Sequence, residues 1–219
     1  MCIRDRGWAV QGQWAFGVPT GAGTGDPTSG NTGSNVYGYN LAGNYPNNMP
    51  VYHLVSTPFD CRGFTGTRVA FFRKLAIESA TYDKASFSVS VDGKSWTTLW
   101  NHTGGTLNDA AWTRVSYDIS AIADGQQFVY LRWTIGPTDS SVVYGGWNID
   151  DISFSGFATQ APCPGDVTDD GIVDGGDLGT LLAFWGACPS GCDGDLNDDG
   201  IVDGADLGAL LSYWGPCPN

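Results

Sequence analysis

Ala85-Ser86-Phe87-Ser88-Val89-Ser90-Val91 alternates apolar and hydroxyl side chains along its length. Successive side chains of an extended strand point to opposite faces, so the run reads as a β-strand with Phe87, Val89 and Val91 buried and the serines wet. Asp92-Gly93 follows, a tight-hairpin dipeptide, and the chain returns through 96–100. Similar short runs occupy 52–57, 67–77, 112–118, 127–135 and 147–155. Strands at this density, separated by turn residues, predict an antiparallel β-sandwich over residues 7–158. Residues 17–50, rich in Gly, Asn, Thr and Pro, read as a long loop.

The 219-residue chain holds 32 Gly and 9 Trp but is only 15% charged, a balance found in secreted all-β proteins. A net charge of −13 repels phosphate backbones and excludes nucleic-acid binding. No apolar run is long enough for a membrane-spanning helix. His53 and His102 are far apart in sequence, and neither adjoins an obvious nucleophile, so no hydrolytic triad and no catalytic residues are expected. Residues 163–219 carry eleven Asp and no Glu, Lys or Arg, whereas the preceding residues are near neutral. This shift, across an Ala-Pro-Cys-Pro stretch, places a linker at 159–162 and a second module at 163–219. Met1–Arg6 matches neither module in composition and is similar to the translation of a transposon end used in preparing sequencing libraries. On that reading Cys2 leaves the cysteine count, and the chain is the truncated tail of a larger protein.

The second module is a duplication. Asp166-Val167-Thr168-Asp169-Asp170-Gly171-Ile172-Val173-Asp174-Gly175-Gly176-Asp177 recurs as Asp195-Leu196-Asn197-Asp198-Asp199-Gly200-Ile201-Val202-Asp203-Gly204-Ala205-Asp206. Each copy has the spacing of an EF-hand-type calcium loop. Oxygen ligands fall at positions 1, 3, 5, 9 and 12: Asp166, Thr168, Asp170, Asp174 and Asp177, then Asp195, Asn197, Asp199, Asp203 and Asp206. Ile172 and Ile201 at position 7 offer a backbone carbonyl while their side chains pack inward. Gly171 and Gly200 sit at the sharp turn. Hard oxygen donors suit Ca²⁺, one ion per loop. The Asp at position 12 replaces the usual Glu and reaches less far. Leu178, Leu181, Leu182 and Trp185, repeated as Leu207, Leu210, Leu211 and Trp214, predict an amphipathic helix after each loop, ending at Gly186 and Gly215.

Loop followed by helix, twice, without an entering helix, resembles the type I dockerin family. The resemblance implies a calcium-dependent attachment module that binds a cohesin-like or cell-surface partner. In that family the partner is recognised by hydroxyl residues at loop positions 10 and 11 and by basic residues early in the helix. Here those positions hold Gly175-Gly176 and Gly204-Ala205, then Leu182-Ala183 and Leu211-Ser212, with no base. The calcium chemistry carries over; a familiar cohesin partner does not.

In the first module, Ser90–Trp96, Tyr117–Ser120 and Gly146–Phe154 resemble the jelly-roll domains related to MAM domains, which also accompany secreted metallopeptidases of the immune-inhibitor type. The resemblance implies a binding or adhesion role toward a glycan or protein ligand, without catalytic residues. Along 147–154 the apolar phase switches between Ile149 and Ile152, as a β-bulge would make it do. Related sandwiches hold a structural Ca²⁺ beside such an Asp. Asp150 or Asp151, with Glu78 or Asp83, is the candidate set, against a plain strand-end carboxylate bonded to backbone amides.

Without Cys2, Cys61 stands alone and Cys163, Cys188, Cys192 and Cys217 belong to the tail. A helix of about ten residues spans roughly 15 Å, too far for Cys163 to reach Cys188 within one repeat. The short Cys188–Cys192 spacing sets the end of the first helix beside the second loop. Pseudo-twofold symmetry then brings Cys217 to Cys163, so the expected pairs are Cys188–Cys192 and Cys163–Cys217. An oxidising, extracellular or cell-surface setting follows, and the dockerin resemblance implies a bacterial source. The sequence reading is a non-catalytic binding module with a calcium-dependent attachment module. Its alternatives are the accessory tail of an extracellular polysaccharide- or protein-degrading hydrolase, and a carbohydrate-binding targeting module.

Overall fold

The structure is a computed structural model that describes residues 7–158, 163–188 and 192–217. Met1–Arg6 and the expected linker at 159–162 lie outside the described residues. The chain divides into two compact units, residues 1–158 and 159–219.

The first unit is mainly β. Its elements are β1 (Ala9–Val10), β2 (Trp14–Gly17), β3 (Val36–Tyr39), β4 (Tyr52–Val55), β5 (Phe64–Ile77), β6 (Ala85–Ser90), β7 (Thr97–Asn101), β8 (Leu107–Asn108), β9 (Thr113–Asp118), the short helix α1 (Ser120–Ala123), β10 (Tyr130–Ile135) and β11 (Gly146–Ala158). One antiparallel sheet runs β1-β4-β10-β6-β7; the other runs β2-β3-β11-β5, with β8 and β9 both pairing β5. The two sheets close as a jelly-roll β-sandwich over one apolar core. Phe71 of β5, Phe87 of β6 and Trp133 of β10 meet at its centre, with ring centroids 4.9–5.2 Å apart. Each such aromatic pair adds about 0.5–1.5 kcal/mol beyond its area burial.

The alternation along β6 holds on its inner face, where Phe87 and Val89 are fully buried. The serine face is not wet as expected. Ser88 is paired in register between Arg132 and Thr98, its hydroxyl bonds Thr98 Oγ1, and Arg132 stacks on Trp96 at 4.2 Å. Ser90 turns its hydroxyl to Asp92 and to the Gly93 N–H of the hairpin.

The expected loop at 17–50 contains β3, which carries no alternation because all its residues are buried. It lies flat against β11: a Cβ on Gly38 would come within 2.6 Å of Asn148 Oδ1 and of Leu41. Inward on β5, Arg73 pairs with Asp109 (3.0 Å), both nearly buried, and its guanidinium lies 5.2 Å from the Trp100 ring. The Leu75 N–H also donates to Asp109.

The second unit holds β12 (Ile172–Val173), α2 (Gly175–Ala183), β13 (Gly186–Ala187), β14 (Ile201–Val202), α3 (Gly204–Ser212) and β15 (Gly215–Pro216). β12 pairs with β15 and β13 with β14, so each loop is tied to the segment that follows the other repeat's helix. Cys163–Cys217 and Cys188–Cys192 are bonded, with Cα atoms 5.7 and 6.0 Å apart. Val173, Leu181, Val202 and Leu210 form the buried core. Leu207 of the expected helix stripe packs against this core, but Leu182, Trp185, Leu211 and Trp214 are half-exposed, and so are Ile172 and Ile201, whose side chains do not pack inward. A unit with two helices of nine residues has too little volume behind each helix to cover a wide stripe.

Candidate functional site

The phase switch along β11 is a β-bulge. Register against β5 shifts between Asp150 and Ser153, and Asp151 adopts φ +46°. The bulge turns adjacent carboxylates toward the loop at 31–35. Asp150 accepts the Thr32 N–H (3.1 Å) and the Asp151 N–H (2.8 Å); Asp151 accepts Asn31 Nδ2 (2.8 Å) and the Thr32 hydroxyl (2.5 Å). Burial pushes the Asp150 carboxyl above its ordinary range, against the N–H groups that lower it.

Beside this junction lies a cleft of about 460 Å³, lined by Trp8, Phe16, Thr32, Tyr37, Asp150 and Asp151 among others. That volume suits a ligand of a few rings. Trp8 and Tyr37 stack at 4.4 Å and 9°, with Phe16 tilted against Tyr37 at 5.0 Å. Trp8 is only 7% exposed, and its indole N–H has no hydrogen-bond partner. Phe16 is 44% exposed. Trp8 is also stacked on Trp133 (5.6 Å, 14°), so the exposed Phe16 ring, beside carboxylates and hydroxyls, is the face that can take a ligand apolar on its ring faces and hydroxylated at its edge.

The four residues weighed together for a sandwich metal do not come together. Asp150 pairs with Phe72, while Glu78 lies beyond the far end of the same strand, about 20 Å along at a strand's rise. Asp150 and Asp151 hold the loop instead. Glu78 and Asp83 gather with Asp139, a residue missed in the sequence because its partners lie more than fifty positions away. Tyr45 donates its hydroxyl to Asp83 (2.6 Å), the Asp139 N–H donates to Asp83 (3.0 Å), and Ser141 donates to Glu78 and Asp139. Burial and Asp83 push the Tyr45 phenol above its ordinary value. His102 Nε2 bonds the Glu78 carbonyl and His53 Nδ1 the Thr134 hydroxyl, so the two histidines are engaged at different places.

In the second unit both loops close alike. The Asp170 and Gly171 N–H groups donate to Asp166, as those of Asp199 and Gly200 do to Asp195. Asp169, Gly171, Asp198 and Gly200 all have φ between 56° and 89°, which coils each loop on itself. Asp177 and Asp206 are fully buried. Asp177 accepts the N–H and hydroxyl of Thr168 and the Asp174 N–H; Asp206 accepts the Leu196, Asn197 and Asp203 N–H groups. Burial pushes Asp177 up, but these donors outweigh it and hold its carboxyl below the ordinary range; the Asp203 N–H leads the same effect on Asp206. Asp174 and Asp203 cap α2 and α3. Asn197 donates to Asp199. The Ile172 and Ile201 N–H groups donate to Asp170 and Asp199. An all-oxygen donor set with no base in the unit fits a hard divalent cation. The set formed by Cys163, Asp166 and Cys217 does not, because its sulfurs form a disulfide.

No protein-family model matches the chain. Among solved structures it is similar to SGBP-B from a xyloglucan utilization locus of Bacteroides uniformis (TM-score 0.45, 13% identity, 70% of this chain and 48% of that one). It is also similar to CBM35 from Paenibacillus barcinonensis (0.39, 19%, 70% and 95%) and to the CBM22-1–GH10 modules of Clostridium thermocellum xylanase 10B (0.41, 14%, 83% and 30%). The sandwich assigned above rests on its strand pairing, not on these scores. Over 153 residues the chain is 30% identical to Bacillopeptidase F of Bacillus subtilis (strain 168), which covers 68% of this chain and 10% of that protein. The chain thus spans about a tenth of the length of the curated relative it matches.

Proposed function

We propose that the sandwich is a non-catalytic carbohydrate-binding module and that the second unit is a calcium-binding attachment module. The cleft carries the first half of this reading. Its aromatic walls suit the apolar face of a pyranose, and Asp150, Asp151, Thr32 and Ser153 suit its hydroxyls. The test is binding of soluble oligosaccharides by the intact chain and by Phe16→Ala. Phe16 is half-exposed, so its loss leaves the core intact and should weaken binding about tenfold, the scale of a lost stacking contact. Binding that survives Phe16→Ala unchanged would move the site elsewhere.

The duplicated loops support the second half. Asp166, Thr168, Asp170, the Ile172 carbonyl, Asp174 and Asp177 would hold one Ca²⁺; Asp195, Asn197, Asp199, the Ile201 carbonyl, Asp203 and Asp206 would hold another. The cation would neutralise carboxylates that no base in the unit can pair. A dockerin-like role toward a cohesin-like or cell-surface partner is the matching function. Glu78 and Asp83, joined by Asp139, are the candidate third calcium site. The match to a stretch of Bacillopeptidase F favours an accessory place in a larger extracellular hydrolase.

A further inference from the structure

We propose that the cleft discriminates among glycans by charge, preferring amino sugars to neutral ones and rejecting uronates. This rests on the carbohydrate-binding reading above and adds the chemical class of the ring. Among the described residues, the cleft lining contains two carboxylates and no Lys, Arg or His. Three of the cations nearest in the strand register are committed elsewhere, and the exposed Arg114, one strand further away opposite Phe72, lies outside the lining. Arg73, opposite Ile149, pairs with Asp109; Arg68, opposite Ser155, pairs with Asp118; Lys74, opposite Asn148, donates to the carbonyls of Asp109 and Ala110. Asp150 and Asp151 are satisfied only by neutral donors of the loop.

A carboxylate pair held this way attracts a protonated amine and repels a uronate. A second feature of the lining serves neutral and charged sugars alike. The Trp8 indole N–H is buried without a partner, and a ring or hydroxyl oxygen brought against that wall would receive it. The half-exposed Phe16 ring, backed by Tyr37, adds the apolar surface that every pyranose needs, whatever its charge. The cleft therefore separates two contributions: stacking, common to all sugars, and the Asp150–Asp151 field, which sorts them.

The experiment is calorimetric titration of the full chain with a β-1,4-glucosamine hexamer, cellohexaose and an oligogalacturonate, below neutral pH and at low salt. The expected order is glucosamine over cellohexaose by about fivefold, the scale of one partly screened charge pair, with no detectable uronate binding. Asp150→Asn with Asp151→Asn should level glucosamine and cellohexaose. Phe16→Ala should weaken both alike and keep their ratio, so the proposal stays testable if the double variant folds poorly. Equal binding of glucosamine and cellohexaose, or measurable uronate binding, overturns the inference while leaving the carbohydrate reading standing. A preference that persists in the double variant also overturns it, since the attraction then belongs to the acidic tail. Failure of every sugar to bind overturns both.

Discussion

Removing the two disulfides of the second unit one at a time should give unequal losses. Cys163–Cys217 joins residues 54 apart; Cys188–Cys192 joins residues 4 apart. Loop-closure entropy scales with the logarithm of the closed length, which gives about 4 kcal/mol for the long bridge and about 2 kcal/mol for the short one. The unit has little to offset such a loss, because its core is four fully buried aliphatic side chains. A core in a chain this short supplies roughly 3–5 kcal/mol. At saturating Ca²⁺, Cys163→Ser with Cys217→Ser should therefore lower the unfolding midpoint of the unit about twice as far as Cys188→Ser with Cys192→Ser. The assay is urea unfolding followed by helical circular dichroism, since α2 and α3 hold nearly all the helix among the described residues. Equal losses, or a larger loss from the short bridge, would refute both the entropic argument and the clasping role of Cys163–Cys217.

Other perturbations have equally definite outcomes. Chelator should remove the helical signal and Ca²⁺ restore it, with Asp166→Ala weakening one site and sparing the other; a calcium-indifferent spectrum sinks the cation assignment. Asp109→Ala leaves the Arg73 guanidinium buried without its carboxylate and should cost the sandwich about 3–5 kcal/mol in denaturant unfolding, while replacing both partners by apolar residues should cost far less. The Ser120 hydroxyl and N–H, with Arg68 nearby, hold the Asp118 carboxyl below its ordinary range. Its contribution is therefore present above about pH 4, the unfolded value, and is lost as pH falls through the folded one. Asp118→Asn should flatten the acid limb of the sandwich's pH–stability profile, and an unchanged limb would contradict the assignment.

β6 was legible in the sequence because its apolar residues alternate with serines, although Ser88 and Ser90 are buried as well. β3 was not, because Val36-Tyr37-Gly38-Tyr39 is enclosed on both faces and shows no period. The inward Arg73 is equally opaque, since only the fold brings Asp109 and Trp100 to it. The duplication of the Asp-rich loops could be read directly because each copy lies within twelve consecutive positions. The cleft could not, because Trp8, Phe16, Tyr37 and Asp150 come from four separate segments. What the sequence did carry was the phase switch at Ile149–Ile152, which marked the bulge without showing that its carboxylates line a cleft.

The most direct test of the central claim is to map oligosaccharide binding by ¹H–¹⁵N correlation spectra of the full chain. Nine indole N–H resonances are available, and Trp8→Phe identifies the one from the cleft. Titration with a bound oligosaccharide should shift the Trp8 indole and the amides of Thr32–Tyr37 and Ile149–Ser153, leaving the Trp185 and Trp214 indoles in place. Shifts confined to the second unit, or spread evenly without the Trp8 indole, would contradict a carbohydrate site in the sandwich.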